Sequence, residues 1–168
     1  MKGGAPRTAI QRVGDQASRG RGPRREIQEL WFALAHRPWS LLTVIPVGAG
    51  ASAAAVAISL ADVGRRLREA PVTFLVMAET IDYPTASRIV RTLGSAGRKE
   101  DAEPGSGPAS RLVIAIPSVL SEPLGLVVAK AADAVVLCIE KGRTTMPEAR
   151  RTIELIGKDR VAGCLYVE

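Results

Sequence analysis

Along this chain, apolar runs of strand length alternate with segments whose apolar residues recur every three or four positions. The first helical segment is "REIQELWFALAH" (Arg25–His36), with Ile27, Leu30, Trp31 and Leu34 at helical spacing. Pro38 stops it. "SLLTVIPV" (Ser40–Val47) is continuously apolar and predicts a buried strand. A turn at Gly48–Gly50 follows, and then a helix from about Ser52 to Glu69. "VTFLVMAE" (Val72–Glu79) predicts a second strand and "PTASRIVRTLG" (Pro84–Gly94) a short helix, with proline at its start and glycine at its end. After a polar loop, Ser95–Ser110, "RLVIAIPSVL" (Arg111–Leu120) predicts a third strand leading into a Pro/Ser turn. A helix over Ser121–Asp133, a strand over Ala134–Glu140, a helix over Met146–Asp159 and a last strand over Val161–Glu168 complete the pattern.

The strands are apolar throughout rather than alternating. A strand of that kind is buried on both faces, which in an α/β alternation means a parallel sheet covered by helices. The predicted fold class is therefore α/β: a doubly wound, mainly parallel sheet of about five or more strands with helices on both faces. In such sheets ligands bind beyond the carboxyl ends of the strands. The chemistry should be read there.

Composition changes this picture at one end of the chain. The net charge is +6 over 168 residues, but residues 1–25 carry seven basic groups (Lys2, Arg7, Arg12, Arg19, Arg21, Arg24, Arg25) against Asp15 alone. The other residues balance at sixteen basic and sixteen acidic groups. The expected organisation is a basic disordered leader, 1–24, before a neutral domain, 25–168. The leader reads as solubilising, or as an arm for phosphate, an acidic lipid surface or an acidic partner. Aromatic residues make up 4% of the chain, too few for a stacking surface, so nucleic acid is not an expected partner. Cys138 and Cys164 each fall inside a predicted buried strand and read as packed thiols. The apolar stretch around Ala51–Ala61 is too short to span a bilayer and the N-terminus lacks a signal-peptide core. The expected location is cytoplasmic, with peripheral contact at the inner membrane through the leader or a partner.

Three predicted strand ends carry the candidate chemistry. "PVGAGAS" (Pro46–Ser52) has the layout of a phosphate-binding loop: strand, glycine-bearing turn, helix start. Gly48, Gly50 and Ser52 are the candidate cofactor-binding residues. The position of the loop's lysine is Ala51, so the charge that grips the outer phosphates is missing. A tight turn that lets strand and helix pack is the competing reading of the same glycines. At the second strand end, Met77 stands where a metal-binding or water-activating aspartate would be expected, and Glu79 is a lone carboxylate. At the third, Ala115 occupies the corresponding aspartate position. Magnesium needs one or two carboxylates together with phosphate oxygens. No catalytic residue and no metal ligand is expected, nor any cofactor, with ATP and magnesium held weakly at most.

These segments, in this order, resemble the cytoplasmic catalytic domain of bacterial tyrosine kinases (BY-kinases) of capsule and exopolysaccharide synthesis, within the deviant P-loop ATPases that include ParA and MinD. The matching residues are "EIQELWF" (Glu26–Phe32), "GAGAS" (Gly48–Ser52), "MAETIDYP" (Met77–Pro84) and the run from Ala115 to Gly157. In that last run, Pro117, Val119 and Leu120 fall on the family's "PPVL", Asp133–Glu140 on "ADGVLLVV", and Gly142–Thr144 on "xGxT". The resemblance implies a P-loop NTPase-like fold over about residues 25–168. It also implies departures: Ala51, Met77 and Ala115 replace the lysine and the two aspartates. Glu29 and Phe32 stand for the arginines of the family's oligomerisation motif, and Val167 lies near the position of an adenine-reading asparagine. The family's C-terminal tyrosine cluster is missing, since the chain's tyrosines are Tyr83 and Tyr166. Phosphoryl transfer is almost entirely positioning and charge neutralisation, and those charged groups are gone.

The resemblance thus implies a catalytically inactive BY-kinase-like protein. Its expected partner is a polysaccharide co-polymerase or another membrane-bound exopolysaccharide component, with homo- or hetero-oligomers as further assemblies. Two other readings stand beside it. One is a residual nucleotide switch that borrows a lysine from a partner subunit. The other is a ParA/MinD-like partitioning protein whose leader grips DNA or acidic lipid. Trp31, Phe32 and Trp39 offer either a contact surface or packing against the domain core.

Overall fold

The computed structural model describes residues 25–49, 53–67, 71–77, 81–96 and 110–167. Five parallel strands form one sheet in the order β2-β3-β1-β4-β5, where β1 is Leu41–Pro46, β2 Val72–Val76, β3 Arg111–Ala115, β4 Ala134–Glu140 and β5 Val161–Val167. The helices are α1 (Arg25–Ala35), α2 (Ala53–Leu67), α3 (Tyr83–Ala96), α4 (Gly125–Ala131) and α5 (Met146–Ile156), and a 3-10 turn at Lys158–Arg160 precedes β5.

The doubly wound α/β architecture expected from the apolar runs is the one found. Every residue of central β1 is buried. Its alternate side chains feed two separate cores. Leu42 and Val44 join Trp31, Leu34, Val56 and Leu60 of α1 and α2 on one face. Leu41 and Ile45 join Ala86, Val128 and Ile156 of α3, α4 and α5 on the other. β1 has no face left for water, which is why its sequence does not alternate.

Some boundaries differ from the sequence reading. The third strand ends at Ala115, ahead of the expected Pro/Ser turn. Beyond it the chain makes tight turns: the Ser121 and Glu122 amides donate to the Ser118 carbonyl at 3.1 and 2.8 Å. The fourth helix accordingly starts at Gly125, not Ser121. Helix α3 runs to Ala96, past Gly94. Cys138 is buried as expected, whereas Cys164 is exposed. The reason is its position on β5, an edge strand, where one face of the sheet is left open around Cys164 and Tyr166.

Helix α1 is fixed against α2 by a close approach. A Cβ at Gly64 would overlap Trp31 Cη2 and lie 2.6 Å from Cζ2 and 2.8 Å from Val72 Cγ2, so the indole fits because position 64 has no side chain. Trp31 meets Trp39 edge-on with ring centroids 5.6 Å apart. The Arg111 guanidinium stands over both rings, 4.8 Å from Trp39 and 5.6 Å from Trp31. Packing against the core is therefore the fate of Trp31 and Trp39, while Phe32 stays half exposed.

Two polar clamps hold the sheet's ends. At the amino end, Asp133 Oδ2 accepts from the Ser40 and Leu41 amides at 2.8 and 2.9 Å, anchoring the start of β1 beside β4. At the carboxyl end, Thr144 Oγ1 accepts from the Glu140 amide at 2.9 Å and donates to the Val47 carbonyl at 3.1 Å. Both side chains bond to backbone.

Candidate functional site

The chain leaves β1 for α2 on one face of the sheet and leaves β3 for α4 on the other. Neighbouring strands whose following helices go to opposite faces open a crevice between their tips. A cleft of about 400 Å³ lies there. The tips of β1, β2 and β3 all border it: Pro46, Gly48 and Ala49 from the first, Val76 and Met77 from the second, Ala115 to Ser118 from the third. Ala53 and Ala54 at the start of α2 and Ser121 and Glu122 after β3 complete the described lining. The three strand ends singled out in the sequence thus meet in one place.

Of the candidate phosphate-loop residues, Gly48 lines this cleft. Gly50 and Ser52 lie outside the described residues, as do Ala51 and Glu79. Gly48 has φ +81°, a backbone conformation that a side chain disfavours, so glycine is required here by the turn itself. Met77 and Ala115 occupy the two tips where carboxylates would serve a metal. Ala115 is buried and Met77 half buried. Among the described residues, no group of three His, Cys, Asp or Glu side chains is placed to hold a metal ion.

The electrostatics run against an anion. None of the described lining residues is basic, and Glu122 is the one that carries a charge. A second carboxylate stands next to the β1 turn: a Cβ built on Gly48 would lie 3.4 Å from Glu148 Oε1. Glu148 belongs to the capping box of α5. Its Oε2 accepts from the Thr145 amide at 2.9 Å and from Thr145 Oγ1 at 2.7 Å, and its own amide donates to Thr145 Oγ1 at 3.4 Å. Those donors, the Thr145 N–H first and its hydroxyl second, hold the Glu148 carboxyl below the usual glutamate range, so it is ionised at neutral pH. A phosphate held in the turn would stand beside this negative charge. The described lining does not fit a magnesium–nucleotide pair.

Sequence reasoning missed the Gly48–Glu148 proximity because the two residues are a hundred positions apart in the chain. Half of the signal was readable: Thr145-x-x-Glu148 ahead of an amphipathic segment is a capping-box signature. The other half, the neighbourhood of the β1 and β4 tips, needs the strand order.

Other reactive groups are placed elsewhere. Burial pushes the Cys138 thiol up to about 12, which leaves it neutral in the core. No described helix is long and apolar enough to cross a membrane. No protein-family model and no curated protein matches the chain. The class defined by fold and geometry is a doubly wound parallel α/β domain with an apolar, carboxylate-bearing cleft at its strand tips.

Proposed function

We propose that this chain is a catalytically inactive protein of the BY-kinase type, which works by binding partners in exopolysaccharide synthesis and export. The observation that carries the inactive half of this reading is the cleft. Where a phosphoryl-transfer site would gather lysine, metal-holding carboxylates and magnesium, the described lining is apolar with one carboxylate, and a second carboxylate faces the β1 turn. The pathway half is supported by the sequence resemblance from Ala115 to Gly157. A cleft of this chemistry suits apolar side chains accompanied by a cation, such as a cytoplasmic helix or tail of a membrane-bound co-polymerase provides.

The test is an assay of the full chain for magnesium-dependent ATP hydrolysis and tyrosine phosphorylation. No turnover is expected. Turnover abolished by Ser52→Ala would sink the proposal. For the pathway, genes for glycosyltransferase, polymerase and export proteins are expected beside this one, and a neighbourhood without them would remove that half.

A further inference from the structure

The described lining of the cleft is mostly apolar with one charged residue, Glu122, and the same chain carries a segment of the opposite charge. We infer that the leader, residues 1–24, docks in the strand-tip cleft of its own domain, with the Ile10–Val13 stretch in the apolar part and the Arg12 guanidinium on Glu122. The inference rests on the reading of the cleft as a docking site rather than a nucleotide site.

Charge is the first argument. The domain beyond residue 25 is balanced, while the leader is strongly basic. The charged group in the described cleft lining is Glu122, and Glu148 stands at its β1 side. A guanidinium suits such a place: its apolar stem lies along apolar walls while its planar head meets a carboxylate in a two-pronged contact. Pro46, Ala53, Met77 and Pro117 supply the walls.

The sequence of the leader selects Arg12 among its arginines. Arg7 lies between Pro6 and Thr8, Arg19 between Ser18 and Gly20, and Arg21 between glycines. Arg12 has Ile10 two residues before it and Val13 directly after it. It alone brings branched apolar side chains to fill an apolar cleft beside its charge. Length permits the contact. From Arg12 to the start of α1 at Arg25 an extended chain reaches about 40 Å, against a radius of gyration of about 15 Å for a domain of this size. Tethering supplies an effective concentration in the millimolar range, so a weak contact suffices. A partner that uses the cleft must displace the leader, which makes the leader a built-in competitor.

Methyl NMR of the full chain labelled at methionine tests this. Met77 lines the cleft and Met146, outside it and exposed, is the control. Arg12→Glu is expected to shift the Met77 methyl resonance and leave Met146 in place, because charge reversal weakens the contact about tenfold or more. Glu122→Lys should give the same shift, and Arg12→Glu with Glu122→Lys should return Met77 towards its wild-type position. These shifts should be independent of protein concentration. A Met77 methyl that ignores Arg12→Glu, a double variant that fails to restore it, or a shift that grows with concentration each overturn the inference. Failure of the underlying reading looks different: magnesium-ATP would then move the wild-type Met77 methyl.

Discussion

The α1–α2 face and the strand-tip rim are built on the same sheet and use their residues in opposite ways. On the helix face, the closest contacts depend on residue types with no substitute: a glycine under an indole, two indoles edge to edge, and an arginine over both. At the rim, the polar residues are spent on the backbone. Thr144 ties the β4 turn to Val47, Thr145 and Glu148 cap α5, and Asp82 accepts from the Thr85 amide at 2.7 Å at the start of α3. What faces the cleft is then mostly apolar. A site for phosphoryl transfer shows the reverse, with polar groups converging on the ligand and stability drawn from elsewhere. The difference separates a face whose side-chain contacts seat α1 on α2 from a rim whose polar side chains hold backbone turns and leave the cleft lining mostly apolar.

The largest effect that could break this comparison lies on the helix face. Trp31→Ala should cost about 3–5 kcal/mol, and Gly64→Ala about 1–3 kcal/mol through overpacking, both read from urea unfolding. Because the two residues touch, Gly64→Ala in a Trp31→Ala background should cost much less than alone. Additive losses would show that α1 is not seated on α2 as described. Next comes the amino-end clamp. Asp133→Ala strands the Ser40 and Leu41 amides at the start of β1 and should cost about 1–3 kcal/mol; a neutral result would show that this clamp does not hold β1.

The rim effects are smaller. Thr145→Ala should cost about 1 kcal/mol as a lost helix cap. The Glu148 half of that cap is pH-dependent. Its carboxyl is held low in the folded state, so its contribution is present above the ordinary glutamate value of about 4.3 and is lost as pH falls through the lowered value. The stability difference between wild type and Glu148→Gln should therefore be visible at neutral pH and vanish in stronger acid. A difference that persists there would mean that the charge is not what Glu148 contributes. Smallest of all, Ser121→Arg and Glu122→Gln in the cleft lining should move stability by no more than about 0.5 kcal/mol.

The architecture was legible because five uninterrupted apolar runs leave a parallel, doubly covered sheet as the arrangement that hides them. Gly48 was legible as a turn, and its positive φ bears that out. The Pro/Ser turn after β3 was legible, but the start of α4 was not, because the chain makes further turns closed by the Ser118 carbonyl before the helix begins at Gly125. Cys164 misled for a different reason: "VAGCLYV" reads as a central strand, and edge position is a property of strand order, not of local sequence. The role of Gly64 was not legible, because Trp31, which occupies the space above it, lies thirty-three positions earlier in the chain. At the candidate site the missing charges were readable residue by residue. The Glu148 carboxylate beside the turn depended on long-range pairing.

The proposed function requires that the cleft does not bind nucleotide, and calorimetry of the full chain with magnesium-ATP and magnesium-ADP tests that directly. It predicts no saturable heat at millimolar nucleotide. Sub-millimolar, magnesium-dependent binding that Ser52→Ala removes would contradict it.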